Sequence, residues 1–179
     1  MSMRALSFLV VCLLFAPLAL AQDGARWTHP TGAYSLAPEE TGWAILPALS
    51  DEQSTSFELV GENNILRMCF AGSRRFETSV RLTQEQVNAR METYTPRLSQ
   101  GDIHDVTTAI VNGVAVKAFR LDIDGGAVVS HYRVFGLVQD NQVTFNEVSC
   151  GGTLPVSPQH QAAFDRFFGS LRIAPGTTQ

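Results

Sequence analysis

The stretch NEVSCGGTLP, residues 146–155, gathers the residue types that nucleophilic chemistry requires. Cys150 supplies a thiol. Gly151 and Gly152 supply two unencumbered backbone N–H groups, and His160 follows at the head of a helical pattern. A thiolate activated by an imidazole, with donors aimed at a developing oxyanion, is the machinery of acyl transfer. His160 or His131 would serve as base, with Asp165 or Asp140 orienting it. The competing reading makes Cys150 half of a disulfide and the glycines a turn after a strand. One reading gives a thiol-dependent hydrolase and the other a non-enzymatic protein.

Other chemistries find less support. His29, His104, His131 and His160 are scattered, with no His-x-x-x-His or Cys-x-x-Cys spacing to hold a metal. Asp122 and Asp124 alternate on one strand face, where a solvated strand end is a simpler account than a cation site. No serine occupies a G-x-S-x-G elbow and no glycine-rich loop matches a phosphate cradle. Glu77, Glu85 and Glu147 form no dyad that spacing identifies. No cofactor is expected. With 13 basic and 17 acidic residues, the chain carries a formal net charge of −4. A nucleic-acid surface needs a dense basic patch instead. Arg74-Arg75, the one adjacent basic pair, reads as a solvated loop. Lys117, the one lysine, reads as compositional bias.

The first residues set the expected compartment. MSMRALSFLVVCLLFAPLALAQDG has a charged start at Arg4, an apolar run from Ala5 to Leu20, and a small-x-small exit at Ala19-Leu20-Ala21. That order is a secretory signal peptide, expected over residues 1–21. Cys12 lies mid-run and would leave with it. The run contains Pro17 and is short for a membrane span, and no later run approaches membrane length. A soluble, periplasmic or secreted protein is therefore expected, with residues 22–179 as one domain. Two cysteines remain, Cys69 and Cys150. Two thiols in an oxidising compartment make one disulfide, provided that their Cα atoms lie within about 7 Å.

The elements that would position these residues follow from periodicity. GARWTHPTG reads as an irregular lead-in. AYSLAPEETGWAILP reads as two short strands around a turn with Pro38 and Gly42. TSFELVGENNILRMCFAG reads as a hairpin: Phe57 and Leu59 alternate, Glu62-Asn63-Asn64 turn, and Leu66, Met68 and Phe70 alternate on the return. In LTQEQVNARMETYTPRLSQG, Val87, Met91, Tyr94 and Leu98 make one helical stripe, facing the core. Thr83 and Gln86 fit a capping box. Pro96 should shorten the last turn and Gly101 end it. Four strands follow, with turns at Asn112-Gly113, at Asp124-Gly125-Gly126 and at Asp140-Asn141. Too close for helical crossovers, they should form an antiparallel meander. Ser157 caps a final helix with Pro158 in its first position and Phe164, Phe167, Phe168 and Leu171 on an apolar face that must dock on a sheet.

This order of elements resembles the PsbP-like superfamily. The resemblance rests on YSLAPEETGW, the hairpin, the helix, the meander and the closing AAFDRFFGSL, and covers roughly residues 33–173. It implies an α+β fold: an α-β-α sandwich around an antiparallel sheet of six to eight strands. Members of that group are generally adaptors, assembly factors or ligand binders, so it implies no catalytic residue. Exported bacterial members are often lipoproteins, whereas this chain has no lipid-accepting cysteine at its expected cleavage site. The expected protein is an exported, non-enzymatic binding or accessory protein of the cell envelope. Its partner would be an envelope protein or a small apolar ligand held between helix and sheet. A thiol hydrolase using Cys150 is the alternative.

Overall fold

Asn112 and Gly113 take the positive φ that a tight hairpin demands, 50° and 78°. They join two of the strands in a computed structural model that describes residues 26–61, 67–76, 78, 80–96 and 101–175. The expected signal peptide with Cys12, the turn at Glu62-Asn63-Asn64, Leu66, Glu77 and Leu98 lie outside these residues. The chain order is β1 (Trp27–Thr28), β2 (Tyr34–Leu36), α1 (Pro38–Thr41), β3 (Trp43–Ile45), β4 (Ser54–Leu59) and β5 (Arg67–Phe76). Then come α2 (Gln84–Thr93), β6 (Gly101–Val111), β7 (Val114–Ile123), β8 (Val128–Gln139), β9 (Gln142–Thr153), α3 (Pro158–Gly169) and β10 (Arg172–Ile173).

Seven strands form one antiparallel sheet in the order β3-β4-β5-β9-β8-β7-β6. The meander β6 to β9 is therefore intact, and β5 adds to its far side. A second sheet, β1-β2-β10, ties the start of the domain to its end. Each face of the large sheet carries its own core. On one, α3 sets Phe164 and Phe167 against Trp43, Phe57, Ala71 and Val148. On the other, α2 sets Val87 and Met91 against Ala115, Phe119, Val134 and Val138. This is the expected α+β sandwich.

Several local expectations are corrected. The lead-in contains β1, whose Trp27 sits opposite Leu36. The turn at Pro38 is a short helix ended by Gly42 at φ 85°. On the return strand of the first hairpin, Cys69 and Ala71 are the fully buried residues, while Met68 and Phe70 face the other side, half-buried. Both faces of a sandwiched sheet are covered, so alternation alone does not say which set packs deeper. Arg74 and Arg75 lie on β5, exposed, rather than in a loop.

Helix α2 stops at Thr93, a turn early, and Gly101 opens β6 instead of ending the helix. Pro96 holds the residue before it out of the helical region, and Tyr94 is already extended, with ψ 122°. The capping box at Thr83 and Gln86 forms as the sequence indicates. Gly136 lets the helix approach closely: a Cβ there would lie 2.4 Å from Val87 Cγ1.

Candidate functional site

Cys150 is not a thiol. It lies directly opposite Cys69 on the neighbouring strand, with Cα atoms 4.0 Å apart, and the two form a buried disulfide. The Cys-Gly-Gly run is strand, not turn: β9 continues to Thr153. Gly151 is needed for space, because a Cβ would lie 2.3 Å from Ser130 Oγ and 3.0 Å from Val129 O. His131 sits beside the disulfide, opposite Cys150 on β8, and tilts against Phe164. Its pKa is lowered, chiefly by burial and then by Arg133 and Arg120. His160 is buried at the start of α3, with Nδ1 2.8 Å from Ser157 Oγ and Nε2 3.2 Å from Arg67 Nη1. Asp165 is exposed and accepts from Gln161, and Asp140 occupies the β8–β9 turn at φ 48°. The residues of the hydrolase reading therefore do not converge on a nucleophile.

The remaining candidates are also dispersed. His29 is buried, stacked on Tyr34, and bonded to Thr31. Arg120 holds Asp122 through two hydrogen bonds, and His104 lies 3.5 Å from the same carboxylate. Asp124 belongs to the β7–β8 turn and is exposed. No group of three or more metal-ligating side chains forms among the described residues.

What the fold does build is a cleft of about 630 Å³ beside α2, open to solvent. Helix α2 packs over β7 and β8. At ten residues it does not extend across the same face of β5. The uncovered half of the face becomes the floor: Phe70, Gly72 and Phe76 from β5, with Phe145 and Glu147 from β9. Gly72 and Glu147 are opposite each other in the ladder, as are Arg74 and Phe145. Met91 and Tyr94 make the helix wall, and Asp51, Gln53 and Ser54 close the far rim. The Phe70 ring lies over Gly72, where a Cβ would stand 2.8 Å from it. Tyr94 meets Phe145 edge-on at 5.9 Å between ring centroids.

The helix wall is held at both ends by polar side chains. Gln84 Nε2 donates to Gly136 O at 3.0 Å, and its Oε1 accepts from Val138 N at 2.9 Å. It thereby completes the β8 backbone beyond the end of the β7 ladder. Asn88 does the same for the β6–β7 hairpin, donating to Gly113 O and accepting from Ala115 N. At the other end the buried Lys117 ammonium donates to Glu92 O and Tyr94 O, each at 2.8 Å. Those carbonyls at the helix end lack intrahelical partners, and a cation there also suits the helix dipole. The single lysine is thus a structural cap that sets Tyr94 at the cleft. It was legible only as composition. Gln84 and Asn88 did carry a signal, since they share the Val87–Met91 face at helical spacing.

Glu147 is the unusual group in the cleft. Burial pushes its carboxyl pKa up, and a hydrogen bond from Ser149 only partly opposes this. Ionisation therefore disfavours the fold. A carboxyl whose folded pKa is raised binds its proton more tightly in the native state, so stability falls as pH rises from the usual carboxylate range through the raised value. Glu147→Gln removes that penalty. It should stabilise the protein at neutral pH by on the order of 1 kcal/mol, with the advantage shrinking on acidification. Thermal unfolding of both proteins across a pH series checks this; an advantage that grows toward acid contradicts it.

No family model and no curated protein matches the chain. Similar solved structures do exist. A protein of Bacteroides thetaiotaomicron VPI-5482 aligns with 84% of this chain at 8% identity and a TM-score of 0.48; the match spans 48% of that protein, about half its length. LpqN of Mycobacterium tuberculosis, described as involved in cell envelope biogenesis, aligns with 84% of this chain and 90% of its own, at 9% identity and a TM-score of 0.56. The cyanobacterial PsbP of Synechocystis sp. PCC 6803 aligns with 83% of this chain and 91% of its own, at 11% identity and a TM-score of 0.47. The match to LpqN is a shared fold. No helix among the described residues is long and apolar enough to cross a membrane.

Proposed function

We propose that this is an exported, non-enzymatic binding protein of the cell envelope, which holds a small apolar molecule in the cleft between α2 and the sheet. Residues 22–179 would act as one domain behind a signal peptide of residues 1–21. The observation that carries the reading is the cleft itself. At about 630 Å³, with Phe70, Phe145, Met91 and Tyr94 around it, it falls within the roughly 300–1,000 Å³ of small-molecule sites and shares their mainly apolar lining. Three further facts support the reading. The Cys69–Cys150 bond suits an oxidising compartment. That bond also occupies the one sulfur proposed as a nucleophile. LpqN, which shares the fold, is itself an envelope-biogenesis protein.

The test is titration of the exported protein with a neutral fluorescent probe, N-phenyl-1-naphthylamine. Saturable enhancement is expected at micromolar probe. Phe145→Ala should weaken it about tenfold, equivalent to about 1.4 kcal/mol, because it removes a ring from the floor. Phe145 is half-buried, so the fold should tolerate the change. No saturable enhancement, or equal affinity in the variant, overturns the proposal.

A further inference from the structure

Four charged side chains line the cleft, Asp51, Arg74, Arg90 and Glu147, and they are not equivalent. Asp51 is committed to its own loop: Oδ1 accepts from Gln53 N and Ser54 N at 2.8 Å each and from Ser54 Oγ at 2.9 Å. Glu147 lies on the floor of the sheet, half-buried, and shares a hydrogen bond with Ser149. Burial disfavours its ionised form. The two arginines differ from both. Each is exposed, and neither forms an ion pair with another described residue. They come from different elements of the cleft: Arg74 from β5, paired with Phe145 in the ladder of the floor, and Arg90 from the last turn of the α2 wall. A guanidinium presents a planar fork of donors that matches carboxylate and phosphate oxygens.

We infer that the ligand is an anionic amphiphile, with an apolar chain against Phe70, Met91 and Phe145 and one acidic headgroup, a carboxylate or phosphate, taken between Arg74 and Arg90. This deepens the proposed function and rests on the cleft being a binding site. A cationic headgroup would find one exposed carboxylate, Asp51 on the far rim, and Glu147, whose ionised form burial disfavours. A neutral one would leave the arginines without a role.

The experiment measures binding to the exported protein by calorimetry: decanoate, decyl phosphate, decanol and decyltrimethylammonium with the wild type, then the two acids and decanol with Arg74→Gln/Arg90→Gln. These share a chain and differ in the headgroup. One or both acids should bind at least about tenfold more tightly than decanol, the tighter acid identifying the headgroup, and added salt should weaken them but not decanol. The double variant should lose that tenfold while keeping decanol affinity. Both arginines are exposed, so its unfolding midpoint should match the wild type. Acids no tighter than decanol, a tighter decyltrimethylammonium, or an unchanged double variant overturns the headgroup assignment and leaves the apolar cleft standing. Absence of binding by all four removes the cleft reading and the headgroup with it.

Discussion

Replacing Cys69 and Cys150 together by alanine lowers the free energy of unfolding by about 4 kcal/mol. The bond closes a loop with a sequence separation of 81. Chain-entropy reasoning for a loop of that size gives about 4.5 kcal/mol from restriction of the unfolded state, with measured values commonly about 2–5. Alanine is the right replacement. Both sites are fully buried among Phe57, Ala71 and Val148, and serine would add an unsatisfied hydroxyl whose penalty would obscure the effect. The folded state should change little, because β5 and β9 are already paired from Arg67 to Phe76 across the same ladder. Urea denaturation checks the prediction: with a slope of about 2 kcal/mol per molar, the midpoint should fall by about 2 M. Total stabilities run to only about 5–15 kcal/mol, so the variant should be close to the folding threshold. A midpoint shift under about 0.5 M would show that the cross-link contributes little beyond the ladder.

The same bond shows where sequence reasoning succeeds. Local turn chemistry was readable at Asn112-Gly113 and Asp140-Asn141, where positive φ selects few residues. The caps at Thr83 and Ser157 were readable for the same reason, since each depends on neighbours a few residues away. The pairing of Cys69 with Cys150 was readable from chemistry and compartment, though their register was not. The cleft was only partly legible. A helix-and-sheet site was expected, but its depth depends on α2 ending at Thr93 and leaving β5 uncovered, which is a matter of three-dimensional lengths. Lys117 was misjudged because its partners, Glu92 O and Tyr94 O, are backbone groups on a distant helix end. Nothing in residue type marks which carbonyls will be orphaned near it.

Phe167→Ala should destabilise the protein by about 3–5 kcal/mol without touching the cleft. Phe167 is wholly buried on α3, with ring centroids 5.5 Å from Trp43, 5.1 Å from Phe57 and 6.4 Å from Phe168. Truncation removes apolar burial and leaves a cavity that rigid aromatic neighbours cannot close. Phe168 provides the comparison. It is half-buried under the Arg133 guanidinium at 4.7 Å, so Phe168→Ala should lose only about 1 kcal/mol. Denaturation of the two variants measures the contrast, and a loss under about 1.5 kcal/mol for Phe167→Ala would contradict the packing account. Because α3 and the cleft lie on opposite faces of the sheet, probe affinity per folded molecule should be unchanged in both. Cys150 belongs to the same core cluster as Phe167, so the disulfide and aromatic losses should not add simply. Even with partial coupling, a combined loss of about 6–8 kcal/mol exceeds the stability of many domains. Phe167→Ala without the cross-link should therefore be unfolded under conditions where either change alone still yields a binding-competent protein.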